Sequence, residues 1–203
     1  MPYRNVIKVD VADSYYHLYA RGAAKQPIFP ETADYQYFTG LLARYLSKER
    51  TEGKLGYIYP TYFNDIDLLC YCLMENHFHL LIFQSGVGSM SKFMRSLMTS
   101  YSRYFNLKYD RTGPLFEGSY KASRIDRQNY LQHISRYIHL NPRYWKHYPH
   151  SSLAFYRDKS PDWIKPQSIL DLFPSRKDYF NFLADYEEHK NMLAEIKHEL
   201  ADK

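Results

Sequence analysis

The stretch Ile66–Phe83, IDLLCYCLMENHFHLLIF, constrains the fold of this chain more than any other. Two apolar runs flank the short polar break Glu75-Asn76, a pattern that predicts a β-hairpin with a tight turn. Side chains alternate between the two faces of a strand, so His77 and His79 project side by side, roughly 6.6 Å apart along the backbone. Phe78 and Leu80 then face the other way, into a core. Two neutral imidazoles on one strand face form half of a metal site. A lone HxH is more often a pair of histidines at a sheet surface, so the motif gains weight only if the chain adds a third ligand and a nucleophile.

A chain of 203 residues can bury one sizeable core, and no run of 18 apolar residues marks a membrane span. The opening MPYRNVIKVDVADSYY lacks the pattern of a secretory leader. Cys70 and Cys72 fall on one strand face, where they cannot easily bridge each other; they read as reduced packing residues of a cytoplasmic protein. Charge is unevenly spread. Residues 92–146 carry 11 Lys/Arg against 3 Asp/Glu, whereas residues 171–203 carry 5 against 8. A basic centre rich in tyrosine and phenylalanine suits a polyanion with unpaired bases.

Around the hairpin, SYYHLYAR (14–21) alternates as a first strand, ended by Gly22. Tyr35, Phe38, Leu42, Tyr45 and Leu46 lie on one stripe of a helix over 32–48. Residues 49–64 read as a surface loop. Ser89 stands as the N-cap of a helix to about Leu107, with Met90, Phe93, Leu97, Met98, Tyr101 and Phe105 as its core stripe. Residues 114–125 are extended. Asp126 stands as the N-cap of a further helix to about Asn141, stopped by Pro142. Residues beyond it turn irregular, before two helical patterns over 166–173 and 176–200.

The helix over 126–141 carries the remaining chemistry. Tyr130, Ile134, Tyr137 and Asn141 share one face, and Tyr137 lies about 6 Å before Asn141 along the axis. Laid over the histidines, this helix would deliver a carboxamide ligand and a phenol to one divalent cation. Tyr130 is the rival nucleophile. Arg124, Arg127 and Arg136 are candidate phosphate contacts, or else solvated surface charges. Arg95 and Arg103 on the preceding helix and Lys121 in the extended segment extend the candidate DNA-binding set.

The segments SYYHLYARGAAKQPIF, MENHFHLLI, RTGPLFEGSYKASRID and YLQHISRYIHLNP together resemble the single-tyrosine HUH transposases, most closely the REP-associated tyrosine transposases. The resemblance covers roughly residues 12 to 157. It implies an α+β fold, a small antiparallel sheet with flanking helices (the ferredoxin-like HUH endonuclease fold). It also implies His77 and His79 as metal ligands, Asn141 as the third, Tyr137 as nucleophile, and Glu117 and Tyr120 in supporting roles. The implied chemistry is Mg²⁺- or Mn²⁺-dependent cleavage and rejoining of single-stranded DNA near hairpins through a 5′-phosphotyrosine, by a monomer or a homodimer. Two residues depart from the family pattern: Glu75 stands where proline is common, and Ala20 where asparagine is frequent.

The chain is thus expected to comprise a transposase domain over 1–157 and a helical extension over 158–203. A non-catalytic hairpin binder on the same scaffold, a replication or relaxase-type HUH nickase, and a metallohydrolase without a tyrosine intermediate are the competing readings.

Overall fold

The computed structural model describes residues 9–53 and 56–185. Four strands, β1 (Ser14–Arg21), β2 (Ile66–Met74), β3 (His77–Gln84) and β4 (Lys121–Ile125), form one sheet in the order β2-β3-β1-β4. All neighbours are antiparallel. With α1 (Thr32–Leu46) after β1 and α2 (Ser89–Lys108) after β3, the chain runs β-α-β-β-α-β, the ferredoxin-like order. Both strands of the expected hairpin are present, joined at Glu75-Asn76 as their composition requires.

The central strands are buried on both faces, and each face feeds its own core. Leu18, Leu68, Leu73, Phe78, Leu80 and Ile82 pack with Phe38, Leu41 and Leu42 of α1 and with Phe93 and Leu97 of α2. On the other face, Cys70, Cys72, Leu81 and Ile125 pack against Leu131, Ile134 and Ile138 of α3 (Gln128–His139). Both cysteines are buried and free. An extra residue in β2 between Leu68 and Cys70 shifts the register and turns Leu69 onto the α3 face as well.

The histidine-bearing face is therefore not a solvated sheet surface. It is the floor on which α3 lies. The short helices α4 (Leu153–Arg157), α5 (Gln167–Leu170) and α6 (Arg176–Ala184) complete that layer. Residues 143–165 were expected to be irregular, yet α4 forms there, and the segments on either side of it cover the exposed edge of β2. Leu73 N–H donates to the His150 carbonyl at 2.9 Å, Ser152 N–H to the Tyr71 carbonyl at 3.0 Å, and Lys165 N–H to the Leu68 carbonyl at 2.7 Å. An edge strand that would otherwise offer unpaired backbone groups is sealed by the chain itself. Trp163 and Ile164 reach the first core; Ile169, Leu170, Tyr179 and Leu183 reach the second. The remainder of the helix expected over 176–200 lies outside the described residues.

Helix starts differ from expectation. Gly88 rather than Ser89 precedes α2, with φ at 85°, a left-handed conformation that glycine adopts without cost. The N-cap of α3 is Arg127, not Asp126, and it has no side-chain capping bond. At its other end α3 stops at His139, so Asn141 lies just beyond the helix rather than in its last turn.

His139 ties α3 to the later helices. Its ring lies 2.6 Å from the Tyr179 hydroxyl and 2.8 Å from Ser152 Oγ, and it is fully buried. Burial pushes its pKa from 6.5 down to about 3. The folded protein thus keeps His139 neutral, whereas the unfolded chain takes up a proton below 6.5. Stability from this residue is complete above that value and is lost as pH falls toward 3, at up to about 1.4 kcal/mol per pH unit. Urea unfolding at pH 7, 6 and 5 should show this decline, and His139→Gln should flatten it by about that slope.

Candidate active site

The register of the sheet builds the site. β3 presents His77 and His79 on the α3 face, and β1 lies antiparallel beside it with Tyr19 opposite His79 and Arg21 opposite His77. Alternation along β1 puts His17, Tyr19 and Arg21 on that same face. The His77 and His79 rings stand 5.0 Å apart, nearly perpendicular. The Tyr137 ring of α3 stands edge-on to the His79 ring at 5.4 Å and to the His17 ring at 5.8 Å. The Asn141 side chain lies near enough to both the His77 ring and the Tyr137 hydroxyl to influence the ionisation of each. The four side chains read from sequence as ligands and nucleophile thus converge in one place, supplied by a single chain. Tyr130, the rival, lies two turns back along α3 and packs against the second core.

Two contacts on the imidazoles went unread in the sequence. His77 Nδ1 lies 2.7 Å from Asn76 Oδ1, and the Asn76 amide is oriented because its Nδ2 donates to the Lys25 carbonyl at 3.1 Å. Oδ1 is therefore the acceptor, His77 Nδ1 carries the proton, and the Nε2 lone pair is free to ligate. Lys25 and Ala24 have φ of 60° and 51°, left-handed values uncommon outside glycine, in the tight turn that supplies this carbonyl. The second contact joins His17 Nε2 to His79 Nδ1 at 2.9 Å.

Electrostatics favour ligation. Burial pushes the His77 pKa down to about 4, with Arg21 adding to the shift and Asn141 opposing it. Burial likewise takes His79 well below 6.5, helped by His17, His77 and Arg21. Both rings are neutral at physiological pH, the form that binds a cation. Burial raises the Tyr137 phenol above its ordinary value of 10, while Asn141 and Arg21 act in the opposite direction. Among the described residues, no group of three or more His, Cys, Asp and Glu side chains is placed to hold a metal. The donor set is two imidazoles and one carboxamide, which fits a hard divalent cation that keeps positions for water and phosphate oxygens. Cys72 lies opposite His79 but its thiol is held neutral by burial, so it adds no thiolate.

The expected DNA-binding set divides. Lys121 stands at the site, its Nζ 5.4 Å from the Tyr19 ring, which in turn is 5.7 Å from His79. Arg127 is exposed at the start of α3. Arg95 and Arg103 are exposed on α2, and Arg124 pairs with Tyr16 on the α1–α2 side of the edge strand, so all three lie across the sheet from the histidines. Arg136 is a correction. It is fully buried, its guanidinium stacks 3.9 Å from the Phe182 ring centroid, and its Nη1 donates to the Phe182 carbonyl at 3.1 Å. It packs α6 onto α3 and presents no charge to a phosphate. Tyr120 is buried and shares a hydrogen bond with Ser91 at 3.2 Å, bracing α2. Glu117 is exposed, and its backbone N–H donates to the Arg21 carbonyl at 2.9 Å, fixing the end of β1 beside the site.

Arg21 was missed by the sequence reading. The signal was present in the alternation of SYYHLYAR, but only the β1–β3 pairing places that face against the histidines.

Comparison with known proteins bears on the fold and the family of the chain. The solved structure of a REP-associated tyrosine transposase bound to a REP hairpin aligns with a TM-score of 0.56 at 12% identity, covering 81% of this chain and 91% of that one; the two share a fold. A putative transposase from Deinococcus radiodurans R1 aligns over 68% of this chain and 95% of its own at 18% identity, with a TM-score of 0.39. No curated protein sequence matches the chain. No described helix is long and apolar enough to cross a membrane. The family model described as IS200-like transposase matches residues 10–141, from before β1 to Asn141. That span is well over half of the chain and contains the whole sheet and the helix over it: the protein belongs to the IS200-like transposase family.

Proposed function

We propose that this transposase cleaves and rejoins single-stranded DNA beside hairpins, with Tyr137 as nucleophile and His77, His79 and Asn141 as ligands of Mg²⁺ or Mn²⁺. The observation that carries the reading is the meeting of Tyr137, Asn141 and the two neutral imidazoles on one buried sheet face. The hairpin substrate is supported by the REP hairpin held by the structural relative. DNA in this form places the protein's work at the nucleoid. One copy supplies all four side chains, so a monomer is sufficient for the site.

The bound ion would polarise the scissile phosphate and offset the charge that builds on it. The residues of the chain do the rest. The Tyr137 oxygen attacks phosphorus and gives up its phenolic proton, a bond forms between tyrosine and the 5′ phosphate, and the bond to the 3′ oxygen breaks. The freed 3′ oxygen takes a proton and leaves as a hydroxyl. Asn141 and Arg21, which favour the ionised phenol, lower the cost of the first event. Lys121 and Arg21 flank the entry with positive charge for the strand. Rejoining reverses the sequence, because the phosphotyrosine bond conserves the energy of the one broken.

Incubating the protein with a single-stranded hairpin oligonucleotide and Mn²⁺ should yield an SDS-resistant protein–DNA complex. Chelation with EDTA, or His77→Ala, should remove the complex. Turnover of the oligonucleotide with no linked intermediate would sink the reading in favour of a simple metallohydrolase.

A further inference from the structure

We infer that His17 is a positioning residue: it accepts a hydrogen bond from His79 Nδ1 and so holds His79 in the tautomer whose Nε2 lone pair is free for the metal. The inference rests on the reading of His79 as a ligand, but the tautomer itself can be observed without metal.

A neutral imidazole has one N–H and one lone pair, and the hydrogen bond made by one nitrogen decides what the other can do. The 2.9 Å contact between His17 Nε2 and His79 Nδ1 admits two arrangements. If His17 donates, His79 must keep its proton on Nε2 and cannot ligate through it. If His79 donates, its Nε2 is bare. The neighbouring ligand shows which arrangement the site is built for: His77 already gives its Nδ1 proton to Asn76, leaving Nε2 free. His17 occupies for His79 the place that Asn76 occupies for His77.

The surroundings favour this role over that of a third ligand. His17 lies on β1 opposite Leu81, diagonal to His79, and the two rings stack 5.0 Å apart at an interplanar angle of 24°. Its Nε2 is directed at the other imidazole. Both rings are at most 4% exposed, so bulk water does not compete for the bond. The pair spans the two central strands, where backbone pairing on both sides holds ring positions firmly. Partners of this kind orient metal-binding histidines, and their loss typically weakens metal affinity about 10- to 100-fold.

The test uses His17→Leu, which removes the acceptor, and His17→Gln, which retains one. In the metal-free wild-type protein, long-range ¹H–¹⁵N correlation spectra should show His79 protonated at Nδ1, and His17→Leu should shift it toward the Nε2–H form. Mn²⁺ binding to the DNA-free protein, followed by electron paramagnetic resonance, should weaken about 10- to 100-fold in His17→Leu and recover most of that in His17→Gln. A wild-type His79 protonated at Nε2 would overturn the inference, as would unchanged Mn²⁺ affinity in a folded His17→Leu protein. If His17→Leu does not fold, the wild-type spectrum and the glutamine variant still decide. Failure of His79→Ala to weaken Mn²⁺ binding would instead count against the proposed metal site, with the tautomer spectrum still ruling on His17.

Discussion

Tyr137→Phe should abolish the covalent DNA adduct, a loss of roughly 10³-fold or more, since phenylalanine has no oxygen to attack phosphorus at the proposed nucleophile position. Only the hydroxyl is removed, and the ring that packs at 5.4 Å from His79 is kept. Stability should therefore fall by no more than about 1 kcal/mol, the value of one hydroxyl hydrogen bond. Hairpin affinity, measured by gel shift, should be unchanged, because the cations at Lys121 and Arg21 remain. Tyr130→Phe serves as the control and should leave adduct formation intact. An adduct that survives Tyr137→Phe would show that the nucleophile lies elsewhere, and peptide mapping of the linked DNA would locate it.

The second large effect is on stability, and it concerns the residue next in line. Arg136→Ala should destabilise the protein by about 3 kcal/mol, a fall in Tm of roughly 10 °C. The change empties a fully buried site, removes the guanidinium from the face of Phe182 and leaves the Phe182 carbonyl without its donor. Because Tyr137 follows directly on α3, adduct formation should fall with the loosening of α6 against that helix. Calorimetry and adduct yield together test this. A phosphate-binding arginine behaves differently: its loss leaves Tm nearly unchanged and reduces the salt dependence of DNA binding. Arg127→Ala, at the exposed N-cap of the same helix, provides that contrast, with an expected stability change within about 0.5 kcal/mol. Should Arg136→Ala leave Tm unchanged but flatten the salt dependence, the packing role assigned to it would be wrong.

These outcomes depend on how each residue became interpretable. His77 and His79 could be read directly, because a period of two within one strand settles that they share a face. Tyr137 and Asn141 could be paired because they sit one helical turn apart, though the helix itself ends at His139 and Asn141 reaches the site from beyond it. Arg136 looked identical to any surface arginine. What buries it is α6, whose Phe182 lies 46 residues downstream, and no local periodicity announces that contact. Arg95, Arg103 and Arg124 contributed to a basic centre in the linear count, yet the sheet separates them from the histidines.

What the amino-acid sequence by itself determined is local: a hairpin with two histidines on one side, a helix with a phenol and a carboxamide in step, and motifs that mark the family. Tertiary structure alone decided which residues surround them. His17 and Arg21 join the site because β1 pairs with β3 across more than fifty residues of chain, and Arg136 leaves the DNA-facing set because α6 covers it. The physical reason is the range of the information. Alternation and helical periodicity arise from backbone geometry over a few residues, whereas strand register and helix docking arise from burying two apolar faces at once, and that is a property of the whole chain.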